Sequence, residues 1–324
     1  MSRRRPGFAG NGQPDGDRRR RRGGRGLLVP EADFRSYYGR PILKEPAWTL
    51  EVPWYFFVGG MAGASAPLAV AARMSGNERL ARSALTVAGA GIAASVPLLV
   101  SDLGRPERFH HMLRVFKPTS PMSMGSWALA AMGPAAVGAA VSDRLGILPG
   151  LGRAAEVVSG VIGPSICTYT AALVANTAVP VWHEARQELP LVFAGSALAS
   201  AGAASALLTP AADAGPARRL AVTGAVVELA AGQVMERRLG ELAEPYHQGA
   251  AGRYARLAKG CTAAGAAAMA LAGRRRPLAM AGAGLLLAGS AFERLAVYKA
   301  GFQSARDPKY VVKPQRARLE AANR

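Results

Sequence analysis

Eight apolar stretches, each close to the length that crosses a lipid bilayer, fill the chain between about residues 54 and 298. A helix rises about 1.5 Å per residue, so ~20 apolar residues span a hydrocarbon core ~30 Å thick. The stretches are continuous rather than alternating, which favours helices over the strands of a closed barrel. The predicted spans are 54–72, 83–100, 126–141, 158–181, 190–208, 220–235, 257–272 and 278–297.

These spans predict an all-α, polytopic membrane protein with eight transmembrane helices, which we expect to form two four-helix bundles. Thirty-eight glycines would let the helix backbones approach one another closely. Residues 1–46 form a basic tail rich in Gly, Pro and Arg, which we expect to be disordered because it cannot bury a core. Residues 47–300 are the expected transmembrane domain, and residues 301–324 are a cytoplasmic carboxyl-terminal tail.

The net charge of +19 would suggest nucleic-acid binding in a soluble protein, but here it has a simpler explanation. Twelve of the 40 Lys and Arg residues lie before Glu45, in the tail. The tail, the even-numbered loops and the carboxyl terminus together carry 29 Lys and Arg residues, against 10 in the opposite loops. The positive-inside rule therefore predicts a multi-pass protein of the cell membrane with both termini in the cytoplasm, and no nucleic-acid partner.

Cysteine and histidine are scarce, which limits the cofactors that the chain could hold. Cys167 and Cys261 both fall within spans, and two thiolates cannot hold an iron–sulfur cluster that needs four. The four histidines lie at span ends or in loops, where they do not supply paired haem ligands. We therefore expect no haem, no cluster and no metal site in this chain, and we expect both cysteines to be small apolar residues rather than a disulfide.

Polar residues cluster toward one end of the spans. The loop between the second and third spans is rich in aromatic residues and Met, which predicts a folded cap on the membrane surface. Asp102 ends the second span and Arg105 follows three residues later, a spacing that favours a local ion pair. Glu51 and Tyr55 are four residues apart and would share a face of the first helix. Further along, a seven-residue spacing predicts a polar stripe on the fourth span, made by Tyr169, Asn176 and His183.

Together with Trp54 and Trp182, these side chains should meet at one membrane face. A quinone headgroup needs an apolar slot, hydrogen-bond donors for two carbonyl oxygens and a proton relay to water, and histidine carries protons well near neutral pH. Purely structural roles stay open: the aromatic residues could form an interfacial belt, and Asn176 could bond only to a neighbouring helix.

Three ionisable residues are expected inside the membrane in the second half of the chain, where unpaired charge is expensive. Glu228 lies in the sixth span, and Glu293 and Arg294 lie in the eighth. They could form an ion pair, with Glu228 opposite Arg294, or a proton path with Glu228 as a relay. Both interpretations remain open.

Four ordered segments carry a family resemblance, and the Asp-Leu-Gly-Arg-Pro run that begins at Asp102 is the most specific. The segments are residues 54–60, 102–106, 118–123 and 176–182. Over about residues 37–308 the chain resembles the NrfD/polysulfide reductase membrane-subunit family. The resemblance implies eight transmembrane helices and a menaquinone-type site beside a docked, ferredoxin-like iron–sulfur subunit with four clusters. That subunit usually links to a molybdopterin oxidoreductase.

In this family the quinone pocket uses polar residues at the start of the first helix and a tyrosine of the fourth, which match Glu51, Tyr55 and Tyr169. Some relatives have His where this chain has Tyr55 and Asn where it has Glu51, so the resemblance does not identify the proton donor. We therefore interpret the chain as the membrane anchor and quinone-reactive subunit of a multi-subunit oxidoreductase of anaerobic respiration, active only with its partners. Asp102 and Arg105 would shape the pocket and the docking surface. The alternatives are a passive anchor without a redox role and a proton-conducting or transport subunit.

Overall fold

The computed structural model describes residues 42–273 and 275–322, and these residues form helices joined by short turns. Most of the predicted basic tail, residues 1–41, lies outside the described residues. The ten α-helices are α1 (Glu51–Met74), α2 (Glu78–Ser101), α3 (Pro121–Leu145), α4 (Pro149–Ala175), α5 (Pro180–Glu184), α6 (Leu189–Leu208), α7 (Gly215–Leu239), α8 (Gly249–Leu271), α9 (Arg276–Arg306) and α10 (Lys309–Ala322). Two 3-10 helices cover Pro106–Leu113 and Gly240–Tyr246.

Six of these helices, α1, α2, α3, α4, α6 and α9, are long and apolar enough to cross a membrane. The chain is therefore a multi-pass membrane protein, and the secondary structure of the part that the structure describes is all-helical. Helices α7 and α8 contain 25 and 23 residues, but charged residues lower their hydropathy, and they do not meet the same criterion. The predicted count of eight spans and the predicted pair of four-helix bundles are thus not confirmed. The predicted domain boundary at residue 300 lies inside α9.

Local sequence signals explain several helix ends. The Asn77 side chain accepts a hydrogen bond from the Leu80 N–H and begins α2, and Ser120 caps the start of α3. Gly146 ends α3 in the left-handed region, at φ 68°, which glycine adopts without a steric penalty. Helix α4 stops at Ala175, and a separate short helix, α5, starts at Pro180. The predicted fourth span, residues 158–181, is therefore wrong at its carboxyl end.

Contacts between the connecting segments define two faces of the molecule. What we call the Asp102 face contains residues 42–50, 102–120, 176–188, 240–248 and 307–322. What we call the Asp213 face contains residues 75–77, 146–148, 209–214, 272–273 and 275. At the second face the Asn77 side chain donates to the backbone carbonyl of Asp213 at 2.8 Å, which joins the α1–α2 turn to the α6–α7 turn.

The long helices pack along their lengths. Helix α1 contacts α2, α4 and α6, helix α6 contacts α7 and α9, and helix α8 contacts α9. The α1–α4 contact is close enough that Gly63 and Gly163 face each other backbone to backbone. Small residues allow such approaches, as expected for helices that associate in lipid.

Candidate functional site

Asp102, at the end of α2, is hydrogen-bonded to the segment that precedes α1. Its Oδ1 atom accepts hydrogen bonds from the Thr49 backbone N–H at 2.9 Å and from the Thr49 hydroxyl at 2.6 Å. Arg105 is exposed, and the described residues show no ion pair between it and Asp102. The predicted local pair is therefore wrong, because the carboxylate instead binds Thr49 in the chain that enters α1.

Trp182 is a buried anchor between α5 and α9. Its indole Nε1 donates to the Val297 carbonyl at 2.8 Å, and its ring stacks on Trp48 with 5.3 Å between ring centroids. The Tyr298 hydroxyl donates to the Trp48 carbonyl at 2.7 Å. The ring also lies against Gly301, where a Cβ would overlap it. The indole N–H is thus already used, so Trp182 shapes this region and does not offer a free donor.

Tyr55 has a buried hydroxyl with no hydrogen-bond partner among the described residues. The side chain is 2% exposed and lies on the same helical face as Glu51, one turn earlier, since α1 is helical from Glu51 onward. Its ring lies near Gly59 and within reach of α2, because a Cβ at Gly59 would contact both Tyr55 and Ser95 at 3.8 Å. Burying a hydroxyl without a hydrogen-bond partner destabilises the fold by roughly 1–3 kcal/mol. A polar ligand atom or a water molecule that bonds to the Tyr55 hydroxyl would remove this penalty.

An apolar cavity of about 430 Å³ lies between α2, α3 and the 3-10 helix Pro106–Leu113. It is large enough for part of a small molecule. Ile92 and Leu129 line it and belong to the same cluster of buried side chains as Tyr55. The lining residues are Ile92, Ala93, Val96, Leu99, Val100, Phe109, Met112, Leu113, Ser126, Leu129, Ala130, Gly133, Pro134 and Val137.

The remaining members of the predicted polar set are only partly buried. Glu51 is half-buried at the first residue of α1, and Trp54 is exposed. Tyr169 is half-buried on α4, and its ring lies over Gly125 of α3, where a Cβ would overlap it. These three side chains are therefore less buried than Tyr55, and they do not line the 430 Å³ cavity.

Asn176 and His183 do not continue a stripe from Tyr169. Helix α4 ends at Ala175, so Asn176 is the residue that follows its last turn, and His183 belongs to α5. Both side chains are exposed at the Asp102 face. The predicted seven-residue stripe is wrong, because that spacing gives a common face only on one continuous helix.

The structure thus brings the predicted residues to one face but not into one cavity. None of the nine predicted quinone-site and docking residues lines the 430 Å³ cavity. The aromatic and Met-rich cap predicted from the sequence supplies Phe109 and Met112 to the cavity wall. The walls from α2 and α3 were not predicted, since apolar side chains that face a cavity look the same in sequence as those that face lipid.

The three predicted ionisable residues of the second half do lie together. Nη2 of Arg294 donates to the Phe193 carbonyl at 2.9 Å, and the guanidinium lies 3.6 Å from the centroid of the Phe193 ring. Nη1 of Arg294 is 3.3 Å from Oε2 of Glu293. Glu228 accepts instead from the Thr262 hydroxyl at 3.2 Å. The ion pair in the structure therefore joins Arg294 to Glu293, and Glu228 is the second carboxylate of the group.

A separate ionic group at the Asp102 face holds α10. The Lys309 ammonium is 2.7 Å from Oε2 of Glu244, and the Tyr310 hydroxyl donates to the same oxygen at 3.0 Å. These hydrogen bonds lower the pKa of the Glu244 carboxyl, and the pKa of Lys309 is raised by the same contact. Glu244 therefore stays ionised below the pH at which a free glutamate becomes protonated.

Residues 42–273 and 275–322 contain no disulfide and no metal-binding group of side chains. Cys167 is buried and Cys261 half-buried, and neither is in a disulfide. In the same ranges, no group of three or more His, Cys, Asp and Glu side chains is placed to hold a metal ion.

Comparison with known families gives one match, which spans residues 44–243 and carries the description "Polysulphide reductase, NrfD". The matched region runs from the chain before α1 to the second 3-10 helix, so it contains Tyr55, the apolar cavity and Glu228. Glu293 and Arg294 lie beyond it. A comparison with curated proteins gave no match.

Proposed function

The chain belongs to the NrfD polysulphide reductase family, whose members are membrane subunits of oxidoreductase complexes, and we propose that it exchanges electrons between menaquinone and an iron–sulfur partner subunit. Members of this family generally interact with quinones and usually assemble with iron–sulfur and molybdopterin subunits. Quinone exchange and these particular partners are our proposal for this chain.

One observation carries the quinone proposal: Tyr55, whose buried hydroxyl has no hydrogen-bond partner among the described residues, belongs to the same cluster of buried side chains as Ile92 and Leu129, two residues that line a 430 Å³ apolar cavity. When bound, a quinone supplies two-electron chemistry coupled to two protons. Tyr55 would donate a hydrogen bond to a carbonyl oxygen of the headgroup, which would satisfy its hydroxyl. The apolar cavity would take the isoprenoid chain and exclude water from it.

The other predicted residues would serve proton movement. Glu51, half-buried where α1 begins, would pass a proton between solvent and the headgroup region. His183 is exposed at the same face and would exchange protons with water. Tyr169 and Asn176 would position the α3–α4 side of the pocket. We propose these roles on the basis of location and chemistry.

We propose that the iron–sulfur subunit, and through it the molybdopterin subunit, docks on the Asp102 face. The cap there offers exposed apolar side chains, including Phe109 and Phe116, next to exposed basic residues such as Arg105. Such a mixture is typical of a surface that a partner covers. Asp102 would keep the start of α1 in position beneath the partner, and Trp54 would contribute exposed apolar surface.

The test is a single-atom change at Tyr55. The full chain in lipid nanodiscs is titrated with a menaquinone analogue that keeps one isoprenoid unit, and binding is followed by quenching of Trp fluorescence. All four tryptophans lie at the Asp102 face or within two helical turns of it. We expect Tyr55→Phe to weaken binding by roughly threefold to tenfold, because one hydrogen bond is lost and the ring is kept.

Tyr254→Phe is the matched control, since it makes the same change on α8 and keeps the stacking of that ring on Phe292. A wild-type affinity in Tyr55→Phe would remove Tyr55 from the site. A second variant, Ala130→Phe, fills the apolar cavity and should also weaken binding. If neither variant changes the affinity, or if the analogue does not bind the wild-type chain, the quinone proposal is wrong and the passive anchor is favoured.

We also propose that the protein lies in the cell membrane with the Asp102 face in the cytoplasm. The support is the excess of Lys and Arg at this face, including those of the amino-terminal tail. A fluorescent protein that folds only in the cytoplasm, fused after residue 324, should be bright. A dark fusion that is nevertheless made in full would place this face outside.

A further inference from the structure

A second cavity of about 250 Å³ lies among α6, α7, α8 and α9. Its walls include Glu228 and Glu293 at the level of the bundle middle, and Tyr246, Glu236 and Lys259 toward the Asp102 face. Lys259 is exposed and contacts Glu236 at 2.7 Å, and Glu236 is 3.8 Å from the exposed His247. The cavity therefore leads from polar groups at the Asp102 face to two buried carboxyl groups.

The deep end of this cavity holds polar atoms that the protein does not satisfy. Glu228 is 4% exposed, Glu293 7% and Arg294 2%. Among the described residues, the atoms here that make no hydrogen bond are Oε2 of Glu228, both carboxylate oxygens of Glu293, Nε and Nη1 of Arg294 and the hydroxyl of Tyr246. Glu293 and Arg294 are in ionic contact at 3.3 Å without a hydrogen bond. Buried charged groups whose hydrogen-bonding atoms are not satisfied are costly, so water or an exchangeable proton would complete this group.

The buried group formed by Glu228, Glu293 and Arg294 has one more acidic side chain than basic side chains. Two carboxylates share one guanidinium, and Lys259, a cation that lines the cavity, already contacts Glu236. Among the other elements packed here, α4 contributes the Cys167 thiol, the second 3-10 helix contributes Tyr246, and the sequence of α6 contains no titratable side chain. With both carboxyls ionised the group carries one negative charge, and one proton makes it neutral.

Toward the Asp213 face the same four helices close tightly. A Cβ at Gly202 of α6 would lie 2.5 Å from the Ala217 carbonyl of α7, and one at Gly265 of α8 would lie 2.9 Å from the Gly282 carbonyl of α9. Between these contacts lies an apolar cluster that we call the alanine plug. Its members are Ala199, Ala203, Ala221, Ala225, Met269, Ala283 and Leu286.

We propose that Glu228 and Glu293 form a proton-exchange site that fills from the Asp102 face through this cavity and is closed toward the Asp213 face by the alanine plug. A hydronium ion in the cavity gives its proton to a carboxylate oxygen: one O–H bond breaks in the hydronium ion and one forms on the carboxyl. Arg294 is the fixed counter-charge that keeps the second carboxylate ionised. The site does not depend on quinone binding.

Infrared spectroscopy of the full chain in nanodiscs tests the site directly. On acidification we expect a carboxylic acid C=O band that shifts in D₂O, and we expect its loss in Glu228→Gln or Glu293→Gln. Glu188→Gln is the matched control, because Glu188 is also buried but both of its oxygens are hydrogen-bonded to Arg238. A band that survives in both Gln variants, or no band in the wild type, overturns the proposal.

A second variant tests proton access through the cavity and leaves Glu228 and Glu293 unchanged. Gly232 lines the cavity, and a Cβ there would meet nothing within 4 Å, so Gly232→Leu should fold and fill the passage. We expect the loss of fast hydrogen–deuterium exchange of the carboxyl band. Gly260→Leu, at an equally open helical glycine outside the cavity, should exchange like the wild type. Wild-type exchange in Gly232→Leu overturns the route.

The closed end is tested with vesicles that contain the full chain and a trapped pH dye. After an acid jump we expect proton entry no faster than in protein-free vesicles, since the alanine plug leaves no path across. Sustained entry that Glu228→Gln abolishes would overturn the closure and make the cavity part of a through-channel.

Discussion

Arg73 illustrates, at the scale of one residue, how this fold handles charge near the end of a membrane helix. Its Nε atom donates to both oxygens of Glu156 at 2.9 and 2.8 Å, and Nη2 donates to Asp143 at 3.0 Å. Nη1 contacts Glu78. One guanidinium therefore connects α1 to α2, α3 and α4, in a planar geometry that lysine cannot reproduce. By contrast, the oxygens of Glu293 accept no hydrogen bond from the described residues and its ionic contact is with Arg294 of the same helix, so Glu293 joins fewer helices than Arg73 does.

Replacing Arg73 should be strongly destabilising. Arg73→Met keeps the length of the side chain but leaves Glu156 buried and unpaired, and losing one partner of a buried pair costs about 3–5 kcal/mol. The measurement is the thermal unfolding midpoint in detergent. Arg79→Met is the control: Arg79 is 71% exposed and makes one pair with Asp213, so its loss should cost no more than about 1 kcal/mol. Equal midpoints for the two variants would contradict this role.

At the scale of helices, the closest approach is that of α1 and α4. A Cβ at Gly63 would lie 2.7 Å from the Gly163 carbonyl, and one at Gly163 would overlap the Gly63 carbonyl. Both obstacles are backbone atoms, so a side-chain rearrangement cannot relieve them. The two glycines thus fix the separation of the helices that carry Tyr55 and Tyr169.

Gly163→Ala should therefore push α1 and α4 apart. Overpacking against backbone should cost roughly 2 kcal/mol or more, seen as a lower unfolding midpoint. Gly138→Ala on α3 is the control, because a Cβ there meets nothing within 4 Å. Alanine is the better helix former by about 0.8–1 kcal/mol, so this variant should be as stable as the wild type or more stable. A neutral Gly163→Ala would show that the helices separate freely.

The sequence was a good guide to features that depend on local composition and a poor one to features that depend on packing. Apolar runs located the long helices, and the Asp-Leu-Gly-Arg-Pro run led to the correct family. The end of α4 was missed because Asn176 lies in an apolar run that reads as helix through Pro180. The Asp102–Arg105 pair was wrong because the competing partner, Thr49, is 53 residues away. Cavity walls made of Leu, Val and Ile carry no sequence signal at all.

At the scale of the whole molecule, ion pairs at the Asp102 face join distant parts of the chain. Helix α10 is held to the second 3-10 helix by Lys309 and Glu244, and to α5 by Arg318 and Glu184 at 2.8 Å. Glu45 and Arg306 link the chain before α1 to the end of α9 at 2.8 Å. These pairs form the border of the surface on which we propose that the partner docks, so the position of α10 affects docking.

Acid should release α10. Contacts from Lys309 and Tyr310 lower the pKa of Glu244, so their stabilising effect is fully present above the unfolded value, about 4.3, and is lost as the pH falls through the lower folded value. Hydrogen-exchange protection factors of residues 309–322 should therefore fall in that interval while those of α1 persist. In Glu244→Gln, protection should be lower at neutral pH and should change less on acidification. Equal protection of residues 309–322 in the wild type at both ends of the interval would mean that other contacts hold α10, and acid would then leave the docking surface intact.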